Sequence, residues 1–208
     1  MNKTIKINKW GKIGLLTGLV IGFLFAANSA MASETAVWTS LSVSGKLTNN
    51  LTLNVGEELR FSDVTGPSLA RQHTDIGITT KASDIVTVGV GYRNVSSGEQ
   101  RLSVDVGLRL LTGTINLDSL SKLELRDGDT LRGRTSLSVT TDVSGVSPFI
   151  SDELFVDDSG VTGNRATLGV SKALTDSLGL NVFYMLNSAI GDTTSNTHVL
   201  GLGLSASL

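Results

Sequence analysis

The run from Ile85 to Leu111, IVTVGVGYRNVSSGEQRLSVDVGLRLL, restricts this chain more than any other stretch. Val86, Val88, Val90 and Tyr92 alternate with Thr87, Gly89, Gly91 and Arg93, a period of two that belongs to a strand with two unlike faces. After Ser96, Ser97, Gly98 and Glu99 the pattern resumes, with Leu102, Val104, Val106, Leu108 and Leu110 set against Arg101, Ser103, Asp105, Gly107 and Arg109. Turn residues between two alternating arms give an antiparallel hairpin. Each arm has about ten residues, more than the five or six usual in soluble sheets and the right length for a tilted membrane-crossing strand.

The same unit repeats along the chain. Strands are expected near Val37 to Leu47, Leu51 to Phe61, Thr74 to Lys81, Ile85 to Asn94, Arg101 to Leu111 and Leu117 to Arg126. They continue near Leu131 to Thr141, Ser147 to Val156, Arg165 to Leu174, Leu178 to Asn187 and Thr197 to Leu208. That is about eleven strands, at about sixteen residues for each strand and its turn, and no second domain fits. Single-chain bacterial barrels have even strand numbers, so the count implies a missed strand or a first segment outside the wall.

Residues 1–32 read as an export signal and 33–208 as one barrel domain. Lys3, Lys6, Lys9 and Lys12 precede an apolar run from Ile13 to Ala27, too short for a comfortable membrane helix. Ala30-Met31-Ala32 then offers a small-x-small cleavage site, with Ser33 as the mature start. The expected location is the outer membrane of a Gram-negative cell. The implied partners are its lipid and, during insertion, the barrel-assembly machinery.

Short polar turns at Thr48 to Asn50, Ala82 to Asp84, Thr112 to Asn116, Asp142 to Val146 and Thr175 to Ser177 alternate with other connections. Those at Ser62 to His73, Ser96 to Glu99, Asp158 to Gly163 and Ser188 to Asn196 are longer or richer in glycine, a sidedness that outer-membrane barrels share. One strand face is apolar. The other is unusually small, carrying Gly56, Gly77, Gly89, Gly91, Gly107, Gly169, Gly179, Gly201 and Gly203 among many serines and threonines. Small side chains suit a tightly curved lumen, which favours an antiparallel transmembrane β-barrel of roughly ten to twelve strands over a secreted β-sandwich that binds through its loops.

Composition removes other classes. A net charge of −2 argues against nucleic-acid binding, and the absence of cysteine removes disulfide, thiolate-metal and cysteine-nucleophile chemistry.

Arg60, Arg93, Arg101, Arg126, Arg132, Arg134 and Arg165 share the small-residue face and lie at strand ends beside the longer connections, so a ring at one height is expected. Glu58, Asp105, Glu124 and Glu153 are its expected acidic partners. An arginine facing lipid at mid-depth would cost roughly 2–4 kcal/mol, which turns the set inward. Guanidinium groups crowded away from water require carboxylates or anions between them. Two readings follow. The ring forms a salt-bridge plug, or it lines a narrow pore that prefers small anions because, with Arg109, Lys122 and Asp75 added, lumenal basic groups outnumber acidic ones nine to five.

Glu57, Asp152 and Lys172 break the apolar pattern and would face outward unless a β-bulge shifts them. Trp38, Phe61, Tyr92, Phe155 and Tyr184 are candidates for interfacial positions. The two histidines, His73 and His198, sit at expected loop borders with no serine two positions on, so they read as solvated and no enzyme, cofactor or metal site is expected. Asp157, Asp158 and Gly160 give only a fragment of a calcium loop.

The order of these features resembles one bacterial family, the outer-membrane proteins grouped as domain of unknown function 2490. The resemblance rests on Trp38, Glu58-Leu59-Arg60, Gly91-Tyr92-Arg93, Glu99-Gln100-Arg101 and Leu123-Glu124-Leu125-Arg126 followed by Arg132 and Arg134. It continues through Pro148 to Phe155, Asn164-Arg165 and Tyr184-Met185. It implies an outer-membrane barrel and brings no activity or catalytic residue with it. Leu208 stands where barrel-insertion signals commonly end in an aromatic residue.

Overall fold

The structure, a computed structural model, describes residues 34–62, 68–190 and 195–208. The expected signal segment lies outside the described residues, as do parts of the connections expected at Ser62 to His73 and Ser188 to Asn196.

Each alternating run forms a strand, and the described residues contain no helix. The strands are β1 (Glu34–Lys46), β2 (Leu51–Phe61), β3 (Leu69–Lys81), β4 (Val86–Val95), β5 (Gln100–Leu111) and β6 (Ile115–Arg126). β7 (Thr130–Thr141), β8 (Val146–Asp157), β9 (Gly160–Ala173), β10 (Leu178–Ala189) and β11 (Ser195–Ser207) complete the set. Two strands begin five residues earlier than expected, β3 at Leu69 and β9 at Gly160. The connection expected from Asp158 to Gly163 accordingly shrinks to Asp158 and Ser159, because Val161 and Gly163 already pair with β8.

Each strand pairs with its neighbours in sequence, and β1 also pairs with β11, so the sheet closes into a barrel of eleven strands. Closure removes the open edges that a two-sheet sandwich keeps, and with them the sandwich alternative. It also corrects the expectations of an even count and a purely antiparallel wall. In an up-and-down wall with an odd number of strands the first and last run the same way, and here β1 and β11 pair in parallel from Glu34 opposite Thr197 to Ser44 opposite Ser207.

We call the rim where β1 begins the entry end and the rim where β11 finishes the exit end. Exit-end connections are three or four residues long, and three of them repeat one device: Thr48, Ser83 and Thr175 each accept, through the side-chain oxygen, a hydrogen bond from the backbone N–H three residues on. Entry-end connections run from two residues, at Asp158 and Ser159, to seven, at 62–68. Loop length is therefore less one-sided than the sequence implied.

The two faces separate cleanly. Outward go Leu53, Val55, Ile76, Val90, Leu102, Val104, Leu123, Leu137, Leu154, Val182, Leu200 and Leu202, most of them exposed. Inward go the glycines, serines and threonines together with all seven arginines of the expected ring. Ala36, Trp38, Met185 and Val199, with Phe183 against them, form an apolar interior cluster beside the parallel seam.

Glu57 and Asp152 do face outward. The register shifts fall between Arg60 and Phe61 and between Phe155 and Val156, too far along each strand to turn them inward. Polar partners on the neighbouring strand meet them instead, with the Thr74 hydroxyl donating to Glu57 at 2.8 Å and the Asn164 amide donating to Asp152 at 2.7 Å. The aromatic residues divide: Tyr92 and Tyr184 are on the outer face, but Trp38 and Phe155 point inward and are buried. The interior holds several guanidinium groups, and aromatic faces attract them.

Candidate functional site

The expected arginine ring lies in the entry half of the interior, held in a lattice of ion pairs. Local spacing starts it. Residues two apart on a strand project from the same face, so Glu58 and Arg60 stand side by side, and the Arg60 Nε donates to Glu58 Oε1 at 2.7 Å. His73, from β3, places its Nδ1 3.1 Å from the same oxygen and 3.3 Å from Arg93 Nη1. Nδ1 can donate to the carboxylate or accept from the guanidinium, not both, and His73 Nε2 is buried without a partner. Arg93 is gripped in fork geometry by Asp75, with Nε donating at 2.6 Å and Nη2 at 2.9 Å.

Strand register builds the rest. Arg101 stands opposite Arg126, and two like charges in that relation repel. Glu99, in the turn before β5, resolves the conflict by accepting from Arg101 Nε at 2.8 Å and from Arg126 Nε at 2.6 Å. Burial pushes the Glu99 carboxyl up, but the hydrogen bonds and charges of Arg101 and Arg126 outweigh it and hold the group down at about 2. Glu124 stands opposite Arg132 and beside Arg134, and accepts from both, at 2.5 Å from Arg132 Nη2 and 2.9 Å from Arg134 Nη1. Glu153 accepts from Arg134 Nη2 at 2.6 Å, and its other oxygen lies 3.4 Å from Arg165 Nη1.

Aromatic faces fill the gaps between the guanidinium groups. The Arg60 Cζ lies 3.7 Å and the Arg165 Cζ 5.2 Å from the centre of the Trp38 ring, while Arg132, Arg134 and Arg165 all lie over Phe155. Parts of the lattice are deeply buried, while Glu58, Arg93, Asp75 and Arg126 keep partial exposure. His73 and Val95 are 1% exposed, Val199 is 0% and the Glu124 side chain 3%. The exit half differs: Arg109 pairs with Asp118 at 3.4 Å, and their side chains remain 55% and 46% exposed. Asp105, placed in the acidic set, lies nearer this half and pairs with Lys122 at 3.3 Å rather than with any of the seven arginines.

Several residues of the lattice escaped the sequence reading. Glu99 lies in the turn where the sequence puts it, but its pairing is not read there, although Glu-Gln-Arg has the same two-residue spacing as Glu-Leu-Arg. His73 is an interior strand residue rather than a solvated loop residue, because β3 begins four residues before it. His198 likewise belongs to β11, on the outer face, where it hydrogen-bonds the Tyr184 hydroxyl. Asp157, from the fragmentary calcium motif, caps its own turn by accepting from the Ser159 N–H and hydroxyl.

A closed up-and-down barrel with an arginine–carboxylate lattice across one half of its interior defines a structural class without defining a reaction. Over residues 35–198 the chain matches the family described as "Protein of unknown function (DUF2490)", and it belongs to that family. A comparison with curated proteins gives no match.

Proposed function

We propose that this protein is an outer-membrane barrel shut by its own interior. Its apolar outer face meets lipid, and the lattice blocks the entry half, so that a water-filled cup opens only toward the exit end. The observation that carries this reading is the contrast along the lumen between a dry section at Glu124, His73 and Val199 and exposed charges at Arg109 and Asp118. Small barrels fill their interiors with side chains, which makes a plugged barrel physically ordinary. The reading assigns no catalytic step to either histidine.

An open anion-preferring pore is the competing reading. Glu99 and Asp118 bring the lumenal balance from nine basic and five acidic groups to nine and seven, which weakens the selectivity argument. Reconstitution separates the two. The plugged barrel floats with liposomes, migrates faster in SDS gels unheated than heated, and shows no current steps in a planar bilayer. Steady anion-selective steps would establish the pore, and a protein that stays soluble without detergent would remove the membrane assignment altogether.

A further inference from the structure

Charge is not evenly compensated within the lattice. Arg60 and Arg93 each have a carboxylate, Glu58 and Asp75, at 2.6 Å. The other five arginines share three, Glu99, Glu124 and Glu153. Arg126 is the most exposed of these five, at 31%, and has the exposed Asp127 within electrostatic reach, so water and a rim carboxylate serve it.

Arg165, although 19% exposed, has no second carboxylate in contact. Its one carboxylate contact is the 3.4 Å approach to Glu153, a group already held at 2.6 Å by Arg134, and its Nε donates to the neutral Asn187 amide oxygen at 2.8 Å. Its Nη2 has no acceptor among the described residues. On the same indole sits Arg60, whose carboxylate is shared with His73. Two guanidinium groups thus share one indole ring, whose faces attract cations but supply no acceptor lone pairs. His73, with its unpartnered Nε2, packs against the same Glu58.

We infer that the interior holds a small inorganic oxyanion of the phosphate type beside Trp38, received by Arg165 and Arg60. Guanidinium forks match the spacing of oxyanion oxygens, and one bound anion supplies the negative charge that the shared carboxylates lack. Arg60 and Arg165 are only 14% and 19% exposed inside the barrel, so the ligand is a small free ion rather than a lipid headgroup. The inference concerns the folded barrel in detergent and does not require that it span a membrane.

The test uses detergent-solubilised protein carrying Trp10→Phe, which leaves Trp38 as the sole indole. Sodium orthophosphate is titrated at constant ionic strength against the bulky anion gluconate, following Trp38 emission and the thermal midpoint, with phosphatidylglycerol micelles as a second arm. Expected are a saturable emission change with free phosphate, a rise in the midpoint, no effect of the micelles, and at least about tenfold weaker response in Arg165→Gln or Arg60→Gln. Arg109→Gln, at the other end of the lumen, should respond as the parent does. A parent protein without saturable response to phosphate would overturn the inference, whether or not the variants fold, and so would an undiminished response in Arg165→Gln or Arg60→Gln.

Discussion

The ring of Phe183 lies against the barrel wall at Gly201, in the space that a β-carbon on residue 201 would occupy. Phe149 treats Gly169 in the same way. In both cases a large interior side chain on one strand covers a bare backbone position on the next, which lets an aromatic ring fit inside a narrow lumen. Gly201→Ala should therefore push Phe183 off its place and cost about 1–3 kcal/mol by overpacking. Adding Phe183→Leu to Gly201→Ala should recover part of that loss, so the double variant will be less destabilised than the sum of the two single ones. Chemical unfolding of the four proteins in detergent measures it.

Glu124 is the lattice's central acceptor, buried between Arg132 and Arg134. Replacing it with glutamine keeps the shape and removes the charge, leaving the Arg132 guanidinium without a carboxylate and Arg134 with Glu153 alone. Glu124→Gln should lower stability by about 3–5 kcal/mol, and the unheated gel species should give way to the unfolded one at a lower temperature.

Glu99 gives the pH signature. Its carboxyl stands at about 2 in the folded protein against an ordinary value of 4.5, so the folded state binds fewer protons than the unfolded state between those values. Its contribution is fully present above pH 4.5, declines as the pH falls through that window and is gone below about 2. Glu99→Gln should flatten the part of the stability profile between pH 4.5 and 2 that this group supplies, as well as lowering the plateau above it.

The assignment of faces can be tested with neighbouring residues of β5. Val104 points out and Ser103 points in. If the outer face meets lipid, Val104→Arg places a charge in hydrocarbon and should cost roughly 2–4 kcal/mol near mid-depth, whereas Ser103→Asp should cost markedly less. Equal tolerance of both in folding assays with lipid vesicles would contradict a membrane-facing exterior.

The parallel seam calls for a covalent test. Thr39 lies opposite Leu202, and the chain has no cysteine of its own, so Thr39→Cys with Leu202→Cys can be oxidised without competing thiols. Disulfide geometry demands close α-carbons, so that pair should cross-link, while Thr39→Cys with Ala206→Cys, four positions away in the register, should not. Reversed yields would mean that β1 and β11 meet in another alignment.

Period-two alternation makes ten of the wall's seams readable in the sequence, because strands adjacent in sequence with short turns between them have few alternatives to hairpins. It could not show how the ends meet. The β1–β11 contact joins Glu34 to Thr197, and no local pattern encodes a partner so distant in the chain. Parity also placed the seven arginines inside, since it needs only the strand and its apolar face. Their pairing needed more. Glu99 joins Arg101 and Arg126 only because a turn folds it back over the rim, and Trp38 turns inward by the same parity that carries Arg60, although large aromatics suggested an interfacial belt.

Closing the ring through its first and last strands sets one ladder apart from the rest. Ten of the eleven ladders can zip as soon as consecutive strands exist, each closing a short loop, but the last has to capture segments separated by almost the entire wall. Until β11 arrives, β1 keeps one unpaired edge and the interior has no complete circumference to enclose it. Completing the ring therefore closes the longest loop of any ladder in the wall, and the apolar cluster of Trp38, Met185 and Val199 packs beside that joint.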